Sequence, residues 1–384
     1  MTTDNTISYE GKTITCKAAV AWEAGKPMSI EDVEVAPPKA NEVRIKITHS
    51  SICHSDSHVL AGNTPNTKFP IILGHESAGI VESVGEGVTA FSPGDHVIPL
   101  FLPDCGKCMF CKSGKTNLCL GLTSTWGRGL MEDGTTRFTC KGQEIYHFMG
   151  VSTFSQYSVV SAYSVTKVDH EAPLDRVCLL GCCIPTGVGA VQNTAKVFKG
   201  ATVAVFGCGA LGLSVIQGAK MAEAGEIIAL DINPGKFDKA REFGATRVMN
   251  PLDYKEKIED VLKREYNGGV DFSFDTSGGN VGVMNSAFEC TTNGWGLSVV
   301  ISVAKAGDTV STIPFNMIRG KSWTGCFYGG VKGSDLGEYV KNYMEGKLMI
   351  DEYVTRNITL DTINEGFDDL HAGKCIRQII PMHE

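Results

Sequence analysis

The chain has 384 residues, 42% of them apolar and 20% charged, which suits a soluble globular protein of two or three domains. A net charge of −8 argues against nucleic acid and anionic membranes as main partners. No apolar run reaches the roughly 18 residues of a membrane span, and the opening MTTDNTISYEGKTITC lacks the basic and apolar regions of a signal peptide, so a cytoplasmic location is expected.

Residues 1 to 50 contain alternating runs such as EVRIKITHS, read as half-buried strands separated by turns such as APPKANE. The stretch CHSDSHVLAGNTPNTKFPIILGHE, residues 53 to 76, carries Cys53 at one end and His75 at the other. Gly62, Pro65 and Pro70 let the chain fold back so that thiolate and imidazole meet at one metal. Catalytic zinc usually takes three protein ligands and leaves the fourth place open. A third ligand is therefore expected elsewhere, and Cys182 in LLGCCIPTG is the best candidate. Further short strand-like runs, IILGHESAGIVESV and GDHVIPLF, make the first 180 residues mainly β. Without a secretion signal, the 14 cysteines read as metal ligands and buried thiols rather than disulfides. Cys105, Cys108, Cys111 and Cys119, in CGKCMFCKSGKTNLC, can wrap a lobe around one tetrahedral zinc. Four thiolates close the coordination shell, so this metal is structural. An iron–sulfur cluster and a loop of free thiols are the alternatives; ligand count and spacing favour zinc.

Near residue 183 the texture changes to alternating strand and helix. A buried strand, 202–206, meets Gly207-Cys208-Gly209-Ala210-Leu211-Gly212, then a helix, then a second strand ending at Asp231. The first glycine allows a tight turn, the second lets backbone approach a pyrophosphate, and the third permits close helix–strand packing. The phosphates then sit at the helix N-terminus. Asp231 lies at the expected distance to bond the adenosine ribose and to repel a 2′-phosphate, which predicts NAD rather than NADP. Continued alternation through FDKAREFGATRVMN, YKEKIEDVLKREYNGG, VDFSFDTSGG and LSVVISV implies a doubly wound parallel sheet. Beyond Trp323 the pattern is irregular, with a helix around 336–345 and a closing strand in GKCIRQIIPM that returns to the first domain.

Together GHESAGIVESVGEGV, the four-cysteine lobe, LLGCCIPTG and FGCGALG followed by Asp231 resemble, in order and over essentially the full length, the zinc-dependent medium-chain alcohol dehydrogenases of animal type, class I and class III. The resemblance implies a mainly-β GroES-like catalytic domain, residues 1–183 completed by 327–384, and a Rossmann NAD-binding domain, residues 184–326. It implies two zinc ions per subunit and NAD. The family's two-cysteine, one-histidine catalytic set falls on Cys53, His75 and Cys182. Cys183 departs from the family, which commonly has glycine there. Asp56 matches a carboxylate that orients the histidine ligand, and Glu76 a transient ligand behind the metal. Ser55 is implied to take the alcohol proton and His58 to deliver it to solvent by way of the cofactor ribose. His54 and Arg377 match pyrophosphate contacts, Lys236 lies near the adenosine ribose, and Thr186 is a further cofactor position. Ser55, Phe101, Phe148 and Val303 match pocket positions.

The family likeness implies reversible oxidation of alcohols to aldehydes or ketones, zinc acting as Lewis acid and the cofactor accepting hydride. An apolar pocket with a polar end suits aliphatic or aromatic primary alcohols, and the small Ser55 admits some secondary ones. The alternative is the S-(hydroxymethyl)glutathione dehydrogenase branch, class III, which GTTRFTCKGQEI and GWGLSVVISVA resemble. That branch holds glutathione carboxylates with an acidic residue and an arginine at positions that here are Thr64 and Thr123, so ordinary alcohols rank first. A remoter alternative is a non-enzymatic structural protein that only binds dinucleotide; the retained zinc ligands favour an enzyme. The length between Cys119 and Gly150 resembles dimeric members, and the apolar run 298–318 offers a pairing edge, so a homodimer is expected.

Overall fold

The computed structural model describes residues 9–121 and 127–383. They form two compact units. The first holds the described residues up to Gly181, with Lys332–Met344 and the chain from Val354 on; the second holds Cys182–Val331 and Glu345–Tyr353. The sequence reading runs 327–384 wholly with the first domain. Glu345–Tyr353 packs instead with the second, where the buried Tyr353 hydroxyl lies 2.9 Å from Ser214 Oγ and 2.7 Å from Gln217 Nε2.

The first unit is mainly β. Strands Ile14–Ala21, Ser29–Val35, Phe138–Cys140, Gln143–His147 and Ile71–Ile72 close into a barrel. Alternation along Ile14–Ala21 turns Ile14 and Cys16 inward and Thr15 and Lys17 outward. A second sheet runs in the order Val165–Lys167, His96–Pro99, Glu76–Val84, Glu42–Ser51, Arg377–Pro381, Val354–Asn357. Strand Glu42–Ser51 is its spine. One edge pairs with Glu76–Val84, while the other is shared between Tyr157–Ser161 and the closing strand Arg377–Pro381. This strand is more buried than its alternating sequence predicts, because it is paired on both edges and covered on both faces. Even Arg44 is fully buried, and its guanidinium is satisfied by Glu82 and by the carbonyls of Tyr9 and Lys12.

The second unit carries a six-stranded parallel sheet in the order Arg247–Met249, Glu226–Leu230, Thr202–Phe206, Phe272–Asp275, Leu297–Val300, Ser322–Gly325. Numbered along the chain this is 3-2-1-4-5-6, the doubly wound arrangement. Strands covered on both faces read as continuous apolar runs, as TVAVF does. Ala204, Phe206, Ile228 and Leu230 pack against Ile258, Val261 and Leu262 of helix Ile258–Glu265. Each of these side chains except Ala204 stabilises the unit by roughly 1.5–3 kcal/mol relative to exposure. Among the described residues no single helix is long and apolar enough to cross a membrane.

Candidate active site and metal centres

Cys53 caps helix His54–Leu60 in extended conformation. Asp56, one turn in, is fully buried and holds three separate donors. Its Oδ2 accepts from Cys53 N–H at 3.1 Å, and its Oδ1 accepts from Gly74 N–H at 2.9 Å and faces His75 Nδ1 at 3.1 Å. Gly74 sits at φ +89, and a Cβ there would lie 2.6 Å from Phe154 N, so only glycine turns the chain here. The outcome is a cluster in which one donor atom each from Cys53, His75, Glu76 and Cys182 lies within 4.8 Å of all the others. Cys182 follows Gly181 directly and breaks the helical path, with φ −150 and ψ −74 between Cys178–Gly181 and Cys183–Gly189.

The donor chemistry fits zinc. With Nδ1 turned to Asp56, His75 Nε2 is buried and has no hydrogen-bond partner among the described groups, yet it lies beside two thiols. Burial opposes a charge on the ring, but Asp56 and Cys53 outweigh it and hold the His75 pKa well above its ordinary value. A buried imidazole nitrogen facing two thiols is the kind of donor set that takes a zinc ion. Burial pushes the Glu76 carboxyl up to about 8 against the opposing pull of the Arg377 guanidinium, whose Nε and Nη2 stand 3.2 and 3.3 Å from its oxygens. Arg377 Nη2 is also 3.9 Å from Cys53 Sγ.

In the lobe, Cys105, Cys108, Cys111 and Cys119 likewise place their sulfurs within 4.8 Å of one another. Cys105 Sγ accepts from Cys108 N–H at 3.4 Å, Cys108 Sγ from Cys111 N–H at 3.4 Å, and Cys119 Sγ from Gly121 N–H at 3.3 Å. Such N–H donors favour the thiolate; the bond from Cys111 leads those that bring Cys108 down to about 6. A closed tetrahedral zinc fits this set.

The glycine turn opens helix Ala210–Met221 with Gly209 as its cap. Gly207 has φ +110; a Cβ on Gly212 would lie 1.8 Å from Gly207 O, while one on Gly209 would meet nothing within 4 Å. The middle glycine therefore leaves open space before the free N–H groups of the helix, as a pyrophosphate requires. Asp231, buried at the end of strand Glu226–Leu230, accepts from Cys208 N–H at 2.8 Å and from Lys236 Nζ at 3.0 Å. These features fit a dinucleotide whose ribose meets a carboxylate.

Of the other expected residues, Ser55 Oγ lies 4.0 Å from Cys53 Sγ. His58 is half-buried, and its Nε2 is enclosed with no partner among the described groups. The rings of Phe101 and Phe148 stand edge-on to His75 at 5.6 and 5.7 Å. His54 is exposed at the first turn of its helix, and Thr186 Oγ1 donates to Cys182 O at 2.6 Å. Val303 is 64% exposed and Thr64 is exposed; Thr123 lies outside the described residues. Cys183 Sγ points to Ser214 Oγ, at 3.7 Å, and has no place in the metal-donor cluster, which separates the two adjacent thiols. Sequence reasoning found Glu76 and Arg377 individually but missed their pairing; 301 residues separate them and no spacing signals it.

A donor set of two thiols and an imidazole, with a dinucleotide turn in the same chain, is the make-up of a zinc dehydrogenase. Residues 39–170 match the alcohol dehydrogenase GroES-like domain model, and residues 210–344 match the zinc-binding dehydrogenase model. The chain belongs to the zinc-dependent medium-chain alcohol dehydrogenases, NAD-dependent oxidoreductases of alcohols. It is 53% identical to alcohol dehydrogenase class-3 of Pisum sativum over 98% of this chain and 100% of that protein. It is 52% identical to alcohol dehydrogenase class-3 of Myxine glutinosa over 97% and 99%. Among solved structures it is similar to an alcohol dehydrogenase zinc-binding domain protein from Burkholderia ambifaria (TM-score 0.91, 30% identity, 97% of this chain and 100% of that one). It is also similar to benzyl alcohol dehydrogenase from Acinetobacter calcoaceticus (TM-score 0.89, 28% identity, 96% and 100%).

Proposed function

We propose that the chain oxidises aliphatic and aromatic primary alcohols, and some secondary ones, with Cys53, His75 and Cys182 holding the catalytic zinc. The observation that carries this reading is His75, whose Nδ1 is fixed by Asp56 while its buried Nε2 has no hydrogen-bond partner among the described groups and lies beside the two thiols. When bound, zinc supplies Lewis acidity at the alcohol oxygen and NAD accepts hydride. The chain does the rest. Asp56 sets the ring angle of His75, and Phe101 and Phe148 exclude water around it. The Ser55 hydroxyl accepts the alcohol proton, and His58, reached by way of the cofactor ribose, delivers a proton to solvent. Glu76 is a transient ligand that Arg377 holds back through the hydrogen bonds of its Nε and Nη2. In the second unit Gly207, Gly209 and Gly212 receive the pyrophosphate, Asp231 and Lys236 face the ribose, and Thr186 and Val303 border cofactor and substrate. The first unit is the catalytic domain and the second the cofactor domain.

Use of S-(hydroxymethyl)glutathione is the second reading, favoured by the identity with two class-3 relatives. The uncharged Thr64 offers no charge-assisted bond to the adduct and places ordinary alcohols first. Comparing kcat/KM for the adduct, ethanol and a longer alcohol decides between them; a strong preference for the adduct reverses the ranking. A cytoplasmic homodimer is the accompanying proposal. Ser322–Gly325 is the outermost strand of the parallel sheet, and Trp295, Ile313, Phe315, Met317 and Ile318 are exposed apolar side chains in the same unit. An open edge beside apolar surface suits pairing with a second copy. Light scattering tests it, and a mass other than twice that of the chain refutes it.

A further inference from the structure

The doubled cysteine of LLGCCIPTG is only half explained by the metal centre, which takes Cys182. Cys183 is buried, as are Ser214, Gln217 and Tyr353 around it. Their protons have one consistent direction. Ser214 Oγ–H donates to Ala210 O at 2.9 Å, so its oxygen is left to accept. It accepts from Tyr353 O–H at 2.9 Å and from the Cys183 thiol at 3.7 Å. The Tyr353 oxygen in turn accepts from Gln217 Nε2 at 2.7 Å, and Gln217 Oε1 accepts from Met349 N–H at 3.2 Å. A buried network satisfied in this way is stiff, because each bond polarises the next in a low dielectric.

Both ends of this network lead to places that matter. Ala210 is the first residue of helix Ala210–Met221, and the peptide whose carbonyl takes the Ser214 proton belongs to the turn that offers free N–H groups to an anion. Cys183 is bonded directly to the metal donor Cys182 and begins helix Cys183–Gly189. The two helices have no slack between them: a Cβ on Gly187 would lie 2.3 Å from Ser214 Cβ.

We propose that the Cys183–Ser214 contact, clamped by Tyr353 and Gln217, is a positioning link through which pyrophosphate at the glycine turn and zinc at Cys182 stabilise each other. Cys183 and Ser214 act through Cys182 and Ala210 and are positioning residues. The inference rests on the assignment of Cys182 as a zinc ligand. Because binding linkage is reciprocal, either occupant strengthens the other by the same factor.

The test is zinc release from the intact protein into excess chelator, with and without ADP, which brings a pyrophosphate but no nicotinamide. The release phase missing in Cys53→Ala identifies the catalytic zinc. ADP slows that phase in the wild type by roughly fivefold, the lower end of ordinary coupling between sites. Cys183→Ala and Ser214→Ala abolish the slowing, whereas Cys183→Ser, whose hydroxyl donates in place of the thiol, keeps it. Zinc affinity titrated with and without ADP, and ADP affinity measured by calorimetry with and without that zinc, change by one common factor. Full slowing in Cys183→Ala, equal loss in Cys183→Ser, or no slowing in the wild type overturns the link. So does a lower Tm with an unchanged ADP ratio, the sign of a merely structural contact. If no phase disappears in Cys53→Ala, the metal assignment itself fails and takes the link with it, an outcome distinct from all the others.

Discussion

Replacing Asp56 with alanine removes the acceptor shared by Cys53 N–H, Gly74 N–H and the His75 ring. All three donors lie at a carboxylate that solvent does not reach. A buried donor left without a partner costs about 1–3 kcal/mol, so three of them make a loss of roughly 3 kcal/mol or more. The same change frees the imidazole to turn, and loss of a carboxylate behind a histidine ligand typically weakens metal binding about 10–100-fold. Asp56→Asn keeps the shape and one oxygen but turns an NH₂ toward a donor, so it falls between alanine and wild type. The assay is titration of the two zincs against a competing chelator, alongside urea unfolding. In Asp56→Ala the catalytic zinc weakens by that factor, the four-cysteine zinc is unchanged and the urea midpoint falls. Affinity within twofold of wild type at an unchanged midpoint refutes the reasoning.

Cys53→Ala lowers the zinc content from two per chain to one and abolishes alcohol oxidation; elemental analysis showing both metals retained or both lost contradicts the assignment. Asp231→Asn removes the charge that repels a 2′-phosphate, so the kcat/KM preference for NAD over NADP narrows by about tenfold, the factor that 1.4 kcal/mol represents; steady-state kinetics with both cofactors check it. His147 is fully enclosed, and burial, reinforced by Arg137, brings its pKa down from 6.5 to about 3. Between those values the unfolded chain binds a proton that the folded chain does not. Stability therefore falls as pH drops from 6.5 toward 3, by roughly 1.4 kcal/mol per pH unit from this group alone. Urea midpoints measured from pH 7 to pH 4 decline less steeply in His147→Gln than in the wild type.

The sequence exposes those parts of the site that are built from neighbours. Four cysteines within fifteen residues, a glycine turn between strand and helix, and Asp231 at the next strand end all act over short chain distances, so their spacing carries the chemistry. The doubly wound sheet is legible for the same reason, since each βα unit repeats a local pattern. Polar groups that meet across the fold leave no such mark. Arg377 reads as an isolated charge until the closing strand sets it against Glu76, and Lys236 until it meets Asp231. EVRIKITHS alternates like a half-exposed strand because Arg44 and Lys46 interrupt its apolar residues, yet pairing on both edges and internal partners for Arg44 enclose it. Tyr353 gives no hint of its attachment to Gln217, which draws residues 345–353 into the second unit.

Strand Arg377–Pro381 pairs with His49, Ser50 and Ser51 on one edge of Glu42–Ser51 and delivers a guanidinium to Glu76, 301 residues upstream. During synthesis the zinc-bearing half therefore emerges from the ribosome long before its own last piece. Until the translated tail arrives, the spine has a bare edge along His49, Ser50 and Ser51, and Glu76 lacks its counter-ion.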